Sequence, residues 1–341
     1  MGIAPAAAVT HNPPTTATQA LRRAAVRARL APSVHNTQPW SFRIAGDTLE
    51  IIADSTRQLK TLDSTGRQML ISCGCALFNA RASLAASGFQ VKVRRFPNGA
   101  RPNLVARLTV VSPETGPDVE RARLASLDGA IEERRTNRRR FNADVVPQSV
   151  VAALIAAASS EGSQLVPVTR EEDRLNLAII SQRADRQESA DPAYRAELRA
   201  WTTSEPTRPD GVQADAVPRS GLVSHDDIPI RDFEADSDEA LPAQTHSSLR
   251  QCLLILGSTE DGHHAWLRAG EALERILLEL TNRGFVASPL TQAIELPSAR
   301  AMLSNDLRLG MFPHVVLRVG HALPTPATRR RLLVDLLTEL S

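Results

Sequence analysis

Aromatic side chains are scarce: phenylalanine, tryptophan and tyrosine make up 4% of 341 residues, and there is one tyrosine. Little is therefore available to stack unpaired bases, and a formal net charge of +2 supplies no basic field. Both absences weigh against a chain whose main task is nucleic-acid binding. Cysteine is nearly missing too. Cys73, Cys75 and Cys252 are an odd number and form no zinc-type pair of pairs. A disulfide framework is disfavoured, and a reducing, cytoplasmic interior fits. Cys73 and Cys75 stand two apart in a helical stretch, so their side chains point about 200° apart and share no metal face. His263 and His264 are adjacent and equally unsuited, and no His-Glu-x-x-His is present. No metal is expected. Gly-x-Ser-x-Gly, P-loop and Rossmann glycine patterns are absent.

No run of about 18 apolar residues occurs, so no membrane span is expected. The opening MGIAPAAAVTHNPPTT has no basic segment followed by an apolar one, and does not read as a signal peptide. Ala6 stands where a myristoylation signal wants Ser or Thr. Residues 1–14 read as a mobile tail.

What is present fits a globular chain with a sizeable core: 42% apolar and 23% charged residues. Periodicity predicts helices over 15–30, 66–87, 119–133, 147–159, 174 to beyond 183, 193–201, 264–283 and 297–303. It predicts strands over 40–44, 49–53, 89–95, 104–111, 165–168, 250–257 and 315–320. A last apolar helix is expected after Arg331. The order helix, strand, long helix ended by Gly, strand runs through 15–111 and again through 131–320. A spacing of half the chain points to two related halves, not to a solenoid. Residues 203–247 show no convincing period and are expected to be a lid or disordered. Leu222, Val223, Ile228, Ile230 and Phe233 are its candidates for packing.

Two stretches could carry chemistry. RRTNRRRF, residues 134–141, places five arginines in seven positions. It fits a solvated helix end, a nucleic-acid patch or a phosphate clamp. Thr136 and Asn137 inside the run favour the clamp. PSVHNTQPW, residues 32–40, follows the first helix. It fits a plain connector with Asn36 closing a turn, or a loop that reads the polar edge of a flat heterocycle. His35 fits either a place in that site or one facing solvent.

Taken together, PSxxNxQPW after a helix and RRxNxRxF before one resemble the signature of the nitroreductase family of FMN flavoproteins. Residues 261–292 resemble that family's later long helix, Gly stop and Pro-containing loop. VVLRVGHALPTPATRRR resembles its last core strand and basic tail. Each half retains the motif the other lacks, and DSTGRQMLISCGCALFNARASLAASGF resembles the fused, Acg-type branch. The resemblance covers nearly all of 20–331. It implies an α+β nitroreductase-like fold, with two fused halves mimicking the family's homodimer in one chain. The halves would be 15–130 and 131–341, with a lid at about 203–247.

The resemblance also implies non-covalent FMN, one site per chain. The ring edge would be met by 32–38, among them Pro32, Ser33, Val34, Asn36 and Gln38. The phosphate would fall to Arg135, Thr136, Asn137 and Arg139, helped by Arg329 and Arg330. Pro289, Leu290 and Thr291 would lie near flavin N5. No catalytic acid or base is implied, since the flavin carries the hydride. The expected activity is NAD(P)H-dependent reduction of a nitroaromatic or quinone-type acceptor. The alternative is a flavin-sequestering protein whose lid blocks the nicotinamide. An arginine-rich nucleic-acid binder ranks well below both. A monomer acting as a pseudo-dimer is expected.

Overall fold

A computed structural model describes residues 16–111, 118–139, 141–217, 228, 229, 231, 233 and 251–340. The expected N-terminal tail lies outside them, as do Leu222, Val223, Ile230 and most of the expected lid.

Helix α1 (Ala17–Ala28) opens on a capping box between Thr16 and Gln19 and buries an alanine-rich face. Strands β1 (Trp40–Ala45) and β2 (Thr48–Ala53) form a hairpin. Helix α2 (Arg67–Ala86), β3 (Gln90–Arg95) and β4 (Leu104–Val111) follow. Next come α3 (Val119–Ser126), α4 (Ala130–Glu133), α5 (Gln148–Ser160) and β5 (Gln164–Pro167). Two helices, α6 (Glu171–Ala190) and α7 (Pro192–Ala200), lead into the short parallel pair β6 (Thr202–Thr203) and β7 (Val212–Gln213). The chain then runs through β8 (Cys252–Ser258), α8 (His263–Asn282) and β9 (Val286–Leu290). It closes with α9 (Gln292–Glu295), α10 (Pro297–Asp306), β10 (Phe312–Gly320) and β11 (Leu337–Leu340).

The strands form two main sheets. One has the order β11-β1-β2-β4-β3, the other β5-β8-β10-β9. Without β11, the two orders match strand for strand, and every pairing within them is antiparallel. Each sheet has a helix before its first strand, α1 or α5, and a 20-residue helix after its second, α2 or α8. Gly74 and Gly270 are each the eighth residue of their long helix. A Cβ on Gly74 would strike the Leu267 carbonyl oxygen; one on Gly270 would strike that of Ile71. The bare backbones therefore cross in contact, and one buried cluster joins α1, α2, α5 and α8 to both sheets.

Helix α2 is long and apolar enough to cross a membrane by length and composition, against the expectation of no such segment. It is a core helix here, with 83% of that window buried.

Three expectations need correction. The helix expected over 119–133 breaks after Ser126. Leu127 turns into a cluster with Phe78 and Leu278, and the Asp128 carboxylate accepts two hydrogen bonds from Arg23. The last apolar segment is not a helix. After one turn at Leu333–Asp335 it becomes β11, parallel to β1. A segment that short gains little as an isolated helix, whereas the open edge of β1 offers a full ladder. The Pro-containing loop after Gly284 is instead the edge strand β9. At an edge Pro289 costs no ladder bond on the outer side.

Candidate functional site

The turn after α1 is held in an unusual backbone. His35, Asn36 and Gln38 all have positive φ, at 45°, 54° and 48°. Such strain persists only where neighbours over-determine it. Here the Val34 N–H donates to Ser72 Oγ (3.1 Å) and the Gln38 N–H to Ser33 Oγ (2.9 Å). Asn36 Nδ2 donates to the carbonyls of Gly211 (3.0 Å) and Arg329 (3.2 Å). Gln38 Nε2 donates to the Pro209 carbonyl (2.9 Å), and its Oε1 accepts from Arg331 N–H (2.8 Å). The loop thus clips together the segment after α7 and the C-terminal tail.

Two adjoining chambers lie against this turn. The wide one has a volume of about 110 Å³ and the narrow one about 30 Å³. Pro32, Ser33, Thr136 and Arg138 border both. Val34, Pro289, Leu290 and Thr291 border the wide chamber. Asn36 and Arg330 border the narrow one.

The other expected residues do not line either chamber. Gln38 is turned into the clip just described. Arg135 Nη1 donates to the carbonyls of Glu132 (2.6 Å) and Arg134 (2.9 Å). Asn137 Nδ2 donates to the Leu323 carbonyl (2.8 Å), and its Oδ1 accepts from Arg139 N–H (2.9 Å). The Arg139 carbonyl accepts from Arg318. Arg329 Nη1 donates to the Glu205 carbonyl (3.0 Å).

Arg138 is the main residue that motif reading missed. Thr136 is bridged to Ala287 at the open edge of β9. In an extended segment side chains alternate, which sets Thr136 and Arg138 on one side and Asn137 and Arg139 on the other. Other missed lining residues come from α2 and α8: Gln68, Ile71, Ser72, Cys75 and Leu273. The helical spacing of 68, 71, 72 and 75 was a readable signal.

Polar groups around the chambers lack partners. Gln68 Nε2, Gln213 Nε2, His35 Nδ1 and Arg330 Nε are buried without a hydrogen bond. Buried donors are generally met by a protein group, an ordered water or a ligand. The electrostatics favour an anion at the narrow end. Burial, then Arg231, draws Arg138 down to about 10. Burial, then Arg134, draws Arg330 down to about 9. Both stay charged at neutral pH. Burial, then Arg231 and Arg138, holds His35 well below its ordinary value, so its ring is neutral. The Cys75 thiol is pushed far up by burial and is inert.

Arg231 and Phe233, from the segment beyond α7, also border the wide chamber. Phe233, 4% exposed, packs with Leu59, Leu62, Tyr194 and Leu198. Its ring meets His35 edge-on at 5.6 Å, and the Arg138 guanidinium lies 5.2 Å from its centroid. Arg231 donates to Glu295 Oε2 (2.6 Å). Burial and the neighbouring Glu295 push the Glu188 carboxyl up beside this pair. Ile228 packs beside the second core. Among the described residues, no His, Cys, Asp and Glu cluster could hold a metal.

No family model matches the chain. It is 34% identical over 339 residues to "Putative NAD(P)H nitroreductase Rv3131" of Mycobacterium tuberculosis, covering 97% of this chain and 93% of the relative. It is 31% identical over 324 residues to "Putative NAD(P)H nitroreductase acg" of the same organism, covering 92% and 94%. Among solved structures, it overlays the FMN-dependent nitroreductase NfnB of Mycobacterium smegmatis in complex with NADPH. That match has TM-score 0.37 and 17% identity, over 64% of this chain and 99% of the other. A nitroreductase with bound FMN from Desulfitobacterium hafniense matches at TM-score 0.41 and 13% identity, over 63% and 98%. Overlays this loose support no residue comparison. The sequence matches span nearly the whole of both chains, and on them the chain belongs to the nitroreductase family, alongside Rv3131 and acg.

Proposed function

We propose that this chain is an FMN-dependent oxidoreductase that uses NAD(P)H to reduce a nitroaromatic or quinone-type acceptor. One observation carries the cofactor assignment. A wide, mostly apolar chamber adjoins a narrow one bordered by Arg138 and Arg330, and unpartnered buried polar groups surround both. A flat ring with a phosphate tail is the ligand that shape and charge favour.

Ile71, Leu273, Leu290 and Val315 would meet the ring faces. Gln68 and the 32–34 turn would meet its polar edge. Arg138 and Arg330 would hold the phosphate, with Thr136 between the chambers. When bound, FMN supplies the hydride chemistry, and the protein supplies orientation and access. The matched sheets and the Gly74–Gly270 crossing support two halves, 15–130 and 131–341, that descend from one duplicated subunit and work as a monomeric pseudo-dimer. The test is the visible spectrum of the purified protein, followed anaerobically after adding NADPH, then NADH. Flavin bands that bleach within seconds support a working reductase. No bands even after FMN is supplied would remove the assignment.

A second reading has its own observation. Phe233 and Arg231 border the wide chamber from the segment beyond α7, and Arg231 is pinned to Glu295. A cover fixed in this way would keep a nicotinamide off the ring and make the chain a flavin-sequestering protein. Bands that persist with NAD(P)H and bleach only with a small chemical reductant would favour it.

A further inference from the structure

A carboxylate stands behind the narrow, basic chamber. Glu274 of α8 has no exposed surface, and beyond a contact with the Asn79 side chain its oxygens lack hydrogen-bond partners. The guanidinium of Arg134 is near, with Nε 3.7 Å from Glu274 Oε1. Arg134 is itself 5% exposed, and its Nε and Nη1 are unpartnered. Arg330 completes the group from the C-terminal tail, where it borders the chamber. The groups facing Glu274 are thus Arg134 from the end of α4, Arg330 from the tail, and Asn79 and Cys75 from α2. Arg29 and Arg135 act on Arg330 in turn. Cys75 is neutral, so the charged set is two cations against one carboxylate. Neither arginine is joined to it by a good hydrogen bond. A buried acid left so poorly paired is a weak counter-ion, easily replaced by a better one.

We propose that Glu274 is the internal competitor of the cofactor phosphate: it balances Arg134 and Arg330 without phosphate and takes up a proton from solvent when phosphate binds. The inference rests on the flavin reading above. Its logic is linkage. A phosphate dianion beside Arg330 repels the Glu274 carboxylate and draws on the same arginines, so its arrival favours the neutral acid. Burial has already pushed Glu274 up to about 7, against the opposing pull of Arg134. A modest further rise therefore changes its charge at neutral pH. Glu274 touches neither chamber, so it is a positioning residue.

The test is FMN binding by the flavin-free protein, with riboflavin as the control that lacks phosphate. Calorimetry in two buffers of different ionisation enthalpy reads proton uptake directly. Wild type is expected to take up about half to three-quarters of a proton per FMN between pH 7 and 8.5, with affinity falling roughly tenfold over that range. Riboflavin should show neither effect. Glu274→Gln should bind FMN without proton uptake and with a flat profile. Equal proton uptake in wild type and Glu274→Gln, or uptake with riboflavin, would overturn the proposal. So would absence of uptake in wild type, which needs no variant to fold. A wild-type chain that binds neither flavin would instead overturn the flavin reading itself.

Discussion

Gly74 and Gly270 make a reciprocal contact. A Cβ on Gly74 would come 2.8 Å from Gly270 Cα, and a Cβ on Gly270 would come 2.8 Å from Gly74 Cα. Each residue does to the other what the other does to it, and both lie in one chain. The obstructing atoms are backbone, so no rotamer change makes room. Gly74→Ala or Gly270→Ala should therefore destabilise the fold by about 3 kcal/mol or more. Chemical denaturation measures this. A loss under about 0.5 kcal/mol, the level of an ordinary surface change, would mean the helices can separate at small cost.

Arg138→Ala and Arg330→Ala should each weaken FMN binding by about 1.5–3 kcal/mol, the value of a charge-assisted hydrogen bond. Arg139→Ala, whose side chain borders neither chamber, should change it little. Riboflavin affinity should be nearly unaffected by Arg330→Ala. Fluorescence titration checks all of these, and equal losses for Arg138 and Arg139 would contradict the alternation argument.

Much of this was legible in the sequence, and the reasons for the rest are specific. The helix periods and the Gly88 and Gly284 stops mark α2 and α8 to within about two residues of their ends. The PSVHNTQPW and RRTNRRRF stretches do meet at one place. Local pattern could not say which arginines of the run face the chamber, because that depends on the bridge from Thr136 to Ala287. It could not say that Gln38 would clip Pro209 and Arg331, both distant in the chain. The strand β11 was missed because LLVDLLTEL suits a helix face equally well; the open edge of β1 decides it.

Glu271 is fully buried and accepts from Arg81 Nη1 (2.7 Å) and from Arg95 Nε (2.6 Å) and Nη2 (2.9 Å). Glu161 links Arg81 to Arg275 in the same network. Removing the central acid leaves partly buried cations facing one another. Glu271→Ala should cost about 3–5 kcal/mol. Glu271→Gln should lose less, since its amide oxygen still accepts. Thermal and denaturant unfolding of both variants checks the order.

Acid should find a weak point at His314. Its Nε2 lies 2.6 Å from Ser258 Oγ, and Arg300 Nη2 lies 3.3 Å from its Nδ1. Burial, then Arg300, lowers it from 6.5 to about 3, with Asp261 opposing. A folded-state value below the unfolded one gives stability that is present above about pH 6.5 and lost as pH falls toward 3. His314→Gln should flatten that part of the stability profile while costing about 1 kcal/mol at neutral pH. An unchanged acid slope would place the sensitivity elsewhere.

The cover can be tested by shortening Phe233. Phe233→Ala removes the ring between His35 and Arg138. If occlusion limits turnover, flavin reduction by NAD(P)H should speed up. An unchanged stopped-flow rate would mean Phe233 is not the gate.

The most direct test of the account is the stoichiometry of FMN binding, measured by titrating the flavin-free chain and reading the bound spectrum. One FMN per chain is expected, held at least about tenfold more tightly than riboflavin because Arg138 and Arg330 hold the phosphate. Two FMN per chain, or equal affinity for riboflavin, would contradict it.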